Sequence, residues 1–163
     1  GQVAWLMQAC SAWWQVRRDR VFSDLVFEIG DWVLQYQQEK SGAFVSEDQP
    51  DTPGYTSALY LEGIAAALPL AEAMDAVRYE RYWAAYFQGL RFLQRITIQP
   101  GHAPVLPNTD YAIGGLRMSL DSSFVRIDFV QHGLSCVLEL FPQLAAPGAS
   151  RRTSMDAMES TAV

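Results

Sequence analysis

The stretch Tyr55-Thr-Ser-Ala-Leu-Tyr-Leu-Glu-Gly-Ile-Ala-Ala-Ala-Leu-Pro-Leu-Ala-Glu-Ala73 decides how this chain folds. It predicts a helix that is apolar almost all round, because Glu62 is the only charged residue between Asp51 and Glu72. A helix without a polar face belongs in the interior of a protein. We therefore expect this segment to be a buried helix.

Hydrophobic periodicity and the loop signals between segments predict four more helices, at residues 3–15, 21–38, 77–97 and 123–141. Short turns, such as the one near Asp75, force consecutive helices to pack antiparallel. Within residues 110–120, the pair Gly114-Gly115 predicts a short β-hairpin. The predicted fold class is therefore all-α, with antiparallel helical hairpins over residues 1–144. Residues 145–163 are small and polar, which predicts a flexible C-terminal tail.

Composition narrows the classes of function. The 163 residues fit one domain, and a hydrophobic content of 50% argues against disorder. A net charge of −6, with clustered cations only at Arg17-Arg18 and Arg151-Arg152, argues against nucleic-acid binding. The apolar runs are far shorter than the roughly 20 residues of a membrane span.

The two cysteines, Cys10 and Cys136, lie in apolar helical surroundings and predict buried free thiols. Metal-ligand spacing is absent, so we expect neither a metal nor another cofactor. Without a signal peptide or a disulfide framework, a cytoplasmic location is favoured. The chain begins with Gly1 rather than Met, so we also expect it to be a piece of a longer protein.

A short pattern recurs along the chain. Phe27-Glu-Ile-Gly30, Tyr60-Leu-Glu-Gly63 and Tyr86-Phe-Gln-Gly89 each place a glycine inside a predicted helix. Such a glycine costs about 1 kcal/mol relative to alanine. It is usually tolerated where another backbone comes close, which suits paired helices.

Paired helices, short turns and inner helices rich in Ala and Gly are typical of α/α toroids. The segments Gly42-Ala-Phe44 and Tyr60-Leu-Glu-Gly63-Ile-Ala-Ala resemble hairpins of the six-hairpin glycosidase-like superfamily. The resemblance covers roughly residues 3–141, which contain five predicted helices, whereas a complete toroid has about twelve. It implies either the closing part of a longer toroid protein or a diverged and truncated relative. It also implies acid/base chemistry on a glycoside or uronate, as in a hydrolase, epimerase or lyase.

The fifth predicted helix carries the first catalytic candidates. Asp128, His132, Ser135 and Glu139 form one narrow polar stripe, and Asp128 and His132 are one turn apart, so the carboxylate can orient and charge the imidazole. A narrow stripe suits a wet internal cavity better than a solvent-facing surface. Asp at i with His at i+4 is also a common surface pair, and both interpretations stay open. Asp121 or Ser122 is expected to cap this helix.

Glu62 is the remaining catalytic candidate. Burial disfavours the charged form of a carboxyl, and a general acid must hold its proton. The alternative is a buried carboxyl that an arginine or a backbone group satisfies.

The resemblance also implies that the connection before the fifth helix lines a sugar-binding cleft. Arg117 and Arg126 have the planar fork that binds a uronate carboxylate, and Tyr111 offers a flat face for a pyranose ring. Asp110 completes the predicted substrate-binding set. Structural pairing is the alternative for Arg126.

The alternative function is a non-catalytic helical scaffold or protein-interaction module. Trp5, Trp13 and Trp14 on the first helix predict an apolar seam through which the chain self-associates or packs against a missing part of the toroid. The catalytic hypothesis requires Glu62 and residues 110–132 to converge on one pocket. The scaffold hypothesis requires them to scatter.

Overall fold

The computed structural model describes residues 2–101 and 109–140, and within them the protein is mostly helical without a sheet. The all-α class predicted from the sequence is confirmed. The predicted tail, residues 145–163, lies outside the described residues. The helices are α1 (Gln2–Arg17), α2 (Arg20–Leu34), α3 (Thr56–Met74), α4 (Ala76–Ile96), α5 (Thr109–Ala112) and α6 (Ile127–Leu138).

The third helix is the centre of the fold. It packs against α1, α2, α4 and α6, and 12 of its 19 residues are buried. This is the burial that its apolar sequence predicts. Because the run Ala65-Ala-Ala67 carries small side chains, neighbouring helices approach α3 closely on several sides at once.

Consecutive helices are joined by short turns. Between α1 and α2 the chain reverses at Arg18, whose φ of 57° is left-handed. Between α3 and α4 it reverses at Asp75, where the sequence predicts a tight turn. The Asp75 side chain caps α4 by accepting a hydrogen bond from the backbone N–H of Arg78 at 2.9 Å.

The recurring helical glycines lie at helix contacts. A Cβ on Gly63 would lie 3.2 Å from the Cα of Ala4 in α1. At Gly30 and Gly89 the close neighbours are the side chains of Tyr82 and Leu61 instead. The backbone approach expected from the sequence therefore holds at Gly63, while the other two glycines make room for large buried side chains.

The predicted β-hairpin over residues 110–120 is wrong. Residues Thr109–Ala112 form the short helix α5, and Gly114 turns the chain with a φ of 84°. Leu116, Arg117 and Ser119 then form isolated bridges with three separate segments, at Thr97, Val125 and Gly54. The residues after Gly115 thus pair with segments outside residues 110–120 rather than with residues 110–113.

Two helix ends in the structure also differ from the predicted ones. The last predicted helix begins at Ile127 rather than Ser123, with Arg126 as its N-cap residue, so Asp121 and Ser122 do not cap it. The reason is an extended segment before α6, where the N–H of Met118 donates to the carbonyl of Phe124 at 2.8 Å. Similarly, α2 ends at Leu34 rather than at residue 38, because residues 36–38 pair with residues 43–45.

We expect Gly89→Ala to destabilise the protein although alanine is the better helix former. The added Cβ would lie 2.7 Å from Cδ2 and 2.9 Å from Cδ1 of the buried Leu61. Overpacking a core costs typically 1–3 kcal/mol, against a gain of about 1 kcal/mol in helix propensity. Urea unfolding measures the balance.

Gly133→Ala in α6 is the matched control, because its Cβ would lie 3.4 Å from Cδ2 of Leu116, at ordinary contact distance. We expect this variant to be neutral or more stable by up to about 1 kcal/mol. Equal stability changes for the two variants would show that the contact with Leu61 does not limit residue 89.

Candidate functional site

A buried pair of titratable side chains joins α3 to α6. Oε2 of Glu62 lies 2.6 Å from Nδ1 of His132, and both side chains are buried. Glu62 reaches this position because it lies near the middle of the central helix, on the side that faces α6. The polar stripe predicted on the last helix, which is α6 in the structure, therefore meets the isolated carboxyl group of α3 at His132.

Gln8 of α1 completes the network around Glu62. Its Nε2 donates to Oε1 of Glu62 at 3.2 Å and to Oε1 of Glu139 at 3.1 Å. One amide group therefore binds two carboxyl groups, one buried on α3 and one exposed just after α6. The alternative expected for Glu62, an arginine or backbone partner, is replaced by an imidazole and a carboxamide.

Trp5 lies beside the buried pair. Its ring centroid is 6.0 Å from that of His132, with an angle of 33° between the planes. Trp5 is 54% exposed, so its indole contacts the imidazole on one side and leaves much of its surface open. Aromatic faces of this kind pack against apolar ring surfaces of ligands.

A cleft of about 830 Å³ opens between α1 and α3 above this network. Its volume falls within the roughly 300–1,000 Å³ usual for small-molecule sites. Glu62 lies one helical turn before Ala66 in the floor of the cleft, beneath the Gln8 side chain. The lining comprises Trp5, Gln8, Ala9, Ser11, Ala12, Gln15, Ala66, Pro69 and Glu139.

Ser11 is the unusual polar residue of this lining. Its side chain is buried, and its Oγ has no hydrogen-bond partner among residues 2–101 and 109–140. A buried hydroxyl without a partner is uncommon and costs free energy in a folded protein. Together with Gln8 and Gln15, it gives the cleft a set of neutral hydrogen-bonding groups next to an aromatic ring.

Cys136 lies behind the Glu62–His132 pair, one turn along α6 from His132. Burial raises the pKa of its thiol to about 12, and the nearby charge of Glu62 acts in the same direction. The thiol donates to the carbonyl of Gly133 at 3.1 Å, and the Tyr86 hydroxyl donates to the Cys136 carbonyl at 2.9 Å. Both Cys10 and Cys136 are buried and free, as the sequence predicts.

The other predicted catalytic residue, Asp128, does not join this network. Its Oδ1 accepts from Nε of Arg126 at 2.9 Å, and both side chains are partly exposed. Arg126 also lies over the Phe129 ring, 5.3 Å from its centroid. The predicted orientation of His132 by Asp128 is therefore replaced by its contact with Glu62, and a catalytic role of Asp128 stays a prediction.

Arg117 and Tyr111, two of the predicted substrate-binding residues, lie away from this network. Arg117 donates to the carbonyls of Arg95, Ile96 and Leu120 at 3.0–3.2 Å, which fixes the connection before α6 to the end of α4. Tyr111 is 94% exposed. Asp110 lies in α5, and its side chain is outside the described set. Neither Arg117 nor Tyr111 lines the cleft described above, so the convergence that the catalytic hypothesis requires is limited, among the described side chains, to Glu62 and His132.

Sequence reasoning missed Gln8 and Trp5 as site residues and gave Glu139 no role. A signal was present, since Gln8, Ser11 and Gln15 follow the spacing of one helix face. Glu139 belongs to the same polar stripe as His132 and lies two helical turns further along the chain. The sequence did not show that the polar stripe with His132 and Glu139 would face α3 and α1.

Comparison of the chain with protein-family models, curated proteins and solved structures finds no match. The resemblance to α/α toroids therefore stays a prediction, and function must be argued from the site itself. Two other features of the described residues bear on that argument. No helix among them is long and apolar enough to cross a membrane, and they contain no cluster of three or more metal-ligating side chains.

We expect Glu62→Ala to be strongly destabilising and Asp128→Asn to have little effect. Removing Glu62 leaves His132 and Gln8 without their buried partner, which costs about 3–5 kcal/mol for a buried pair. Asp128 belongs to an exposed ion pair worth about 0–1 kcal/mol. Chemical unfolding measures both, and a double-mutant cycle of Glu62→Ala with His132→Ala tests whether the two side chains act together. Additive losses would contradict the direct contact.

We expect Cys136 to resist thiolate-selective reagents in the native protein. A pKa near 12 instead of 9.0 leaves on the order of 1,000-fold less thiolate at neutral pH, and burial blocks access. The measurement is alkylation at pH 8 in a Cys10→Ala variant, which leaves Cys136 as the single cysteine. Denaturant should restore the rate of an ordinary thiol. Rapid reaction in the native state would show that the region behind Glu62 and His132 is open to solvent.

Proposed function

We propose that this protein is carbohydrate-active, with helical hairpins of the α/α-toroid type, and that it performs acid/base chemistry on a glycoside or uronate at Glu62 and His132. The observation that carries the proposal is the buried 2.6 Å contact between Glu62 and His132, whose neighbours Gln8 and Trp5 line the cleft. Hydrolase, epimerase and lyase reactions all require a positioned group that gives and takes a proton.

The pair has the chemistry for this role. When Nδ1 of His132 carries the proton, it donates to Glu62, and the opposite ring nitrogen becomes a free proton acceptor. The carboxylate then fixes the orientation of the ring and stabilises the imidazolium that forms on proton uptake. Gln8 holds the other oxygen of Glu62, so the carboxyl group itself is fixed.

The cleft has the chemistry of a sugar site. Trp5 provides an apolar face for a pyranose ring, while Gln8, Ser11, Gln15 and Glu139 provide donors and acceptors for hydroxyl groups. Trp5 contacts His132, and the Gln8 side chain, which lines the cleft, is bonded to Glu62. Movement of Gln8 would open a path from the cleft to Glu62.

The second candidate function is a protein-interaction module that self-associates through α1. Four large apolar side chains of this helix are about half exposed or more: Trp5, Leu6, Trp13 and Val16. Trp14 is buried, so the seam expected from the sequence is only partly covered by the chain itself. A second copy of the chain that covers this face would remove these side chains from water.

The test is a panel of neutral, amino and uronate oligosaccharides, with binding followed by calorimetry and turnover by new reducing ends and by unsaturated products. We expect binding and turnover with at least one class. Glu62→Gln and His132→Gln should lower turnover by about 10²–10⁴-fold, the usual contribution of a general acid or base. Trp5→Ala should weaken binding, and Asp24→Asn, an exposed change on α2, serves as the matched control.

A substitution at Trp13 distinguishes the two candidate functions, because Trp13 is exposed but does not line the cleft. Trp13→Ser should leave sugar binding intact and abolish any concentration-dependent association seen by sedimentation. If no saccharide binds, and sedimentation shows association that Trp13→Ser removes, the interaction module replaces the catalytic proposal.

A further inference from the structure

We infer that the cleft between α1 and α3 selects sugars that carry a positively charged amino group. This inference rests on the proposed carbohydrate function and names the substrate class within it. It depends on three features of the cleft: its charge, its aromatic ring and its unpartnered hydroxyl.

The charge of the lining is negative. Glu139 is the single charged side chain in the lining as far as the structure describes the chain, and neither Lys nor Arg contributes to it. Gln8 takes one acceptor position of Glu139, at 3.1 Å, while an ionised carboxylate offers about four. Glu139 therefore keeps acceptor capacity for an ammonium group of a ligand.

The aromatic ring favours the same charge. Trp5 is 54% exposed and lines the cleft together with Glu139. A cation near the face of an indole is attracted by the negative face of the ring, and Trp is the best of the aromatic side chains in this respect. A carboxylate beside an exposed tryptophan thus accommodates both an ammonium group and the apolar face of the sugar ring that carries it.

Ser11 provides a contact for a hydroxyl group. Ser11 lines the cleft, and its Oγ is buried without a partner among the described residues, so a change of its rotamer would turn the hydroxyl toward a ligand. A ligand hydroxyl that bonds to Ser11 would satisfy a group that the free protein leaves unsatisfied, which makes the contact favourable in the complex. Ser11 and Gln15 lie one turn apart on α1. Neighbouring hydroxyl groups of a sugar have the short spacing that contact with both side chains requires.

A uronate fits this cleft poorly. Its carboxylate would meet Glu139, with Glu62 beneath Gln8, and no arginine of the described lining would balance the charge. Arg117 and Arg126, expected from the sequence to bind a uronate, are bonded to backbone carbonyls and to Asp128 instead. Of the charged sugar classes, the geometry therefore favours amino sugars.

The test compares three tetrasaccharides of equal length at low salt: fully deacetylated chitosan, its N-acetylated form, and galacturonan. We expect the deacetylated tetrasaccharide to bind about 5–10-fold more tightly than the N-acetylated one by calorimetry, and the galacturonan to bind most weakly. Glu139→Gln keeps an acceptor for Gln8 but removes the charge, so it should weaken binding of the deacetylated form more than binding of the N-acetylated form and thereby abolish the preference. Glu80→Gln, an exposed change of equal charge on α4, should keep the preference.

Ser11→Ala provides a readout that a structural role would not give. Removing an unpartnered buried hydroxyl should leave the melting temperature unchanged or raise it, while affinity for the deacetylated tetrasaccharide falls several-fold. Equal affinities for deacetylated and N-acetylated forms, tighter binding of galacturonan, or a preference unaffected by Glu139→Gln would overturn the inference and leave the proposed function standing. Absence of binding to every saccharide would overturn both.

Discussion

The all-round burial of α3, with one carboxyl group in the middle of it, is the constraint on which the rest of the structure depends. An apolar helix must be covered on every side, so α1, α2, α4 and α6 all pack against it. A buried carboxyl group must be hydrogen-bonded or it costs several kcal/mol. Glu62 meets this requirement by contacts with His132 of α6 and Gln8 of α1. The polar network therefore fixes two helices against the central one.

The small residues of the chain determine how closely the helices approach. Gly63 admits the backbone of α1 at Ala4, and Gly89 admits the side chain of Leu61 into the contact between α3 and α4. Tyr82 fills the space beside Gly30 and donates to the carbonyl of Phe27 and to Asp31, both at 3.1 Å. Each close approach thus places a specific large or polar group where only a glycine leaves room.

Helical content and the central position of α3 could be predicted from the sequence, because periodicity and the lack of a polar face depend on local composition. The end of α2 and the start of α6 could not, since pairing of residues 36–38 with 43–45 and of Met118 with Phe124 competes with helix formation. For the same reason the predicted β-hairpin was wrong: Leu116 pairs with Thr97 and Arg117 with Val125, both outside residues 110–120. Glu62 and His132 could be singled out individually. Their contact spans 70 positions, and only the packing of α6 on α3 reveals it.

The cleft exists because the facing positions of α1 and α3 carry small side chains. Ala9 and Ala12 line it from one side and Ala66 from the other, in a chain that is 50% hydrophobic and rich in larger apolar residues. Larger apolar side chains there would bury more surface, at about 25 cal/mol for each Å², and would stabilise the contact between the two helices. Ser11 adds an unsatisfied buried hydroxyl at the same place. Packing and polar satisfaction are thus both incomplete at one location, directly above the Glu62–His132 pair. Sites that bind ligands are commonly less stable than a fully packed core. For this reason the functional proposal is placed at the cleft rather than at Tyr111, Arg126 and Asp128.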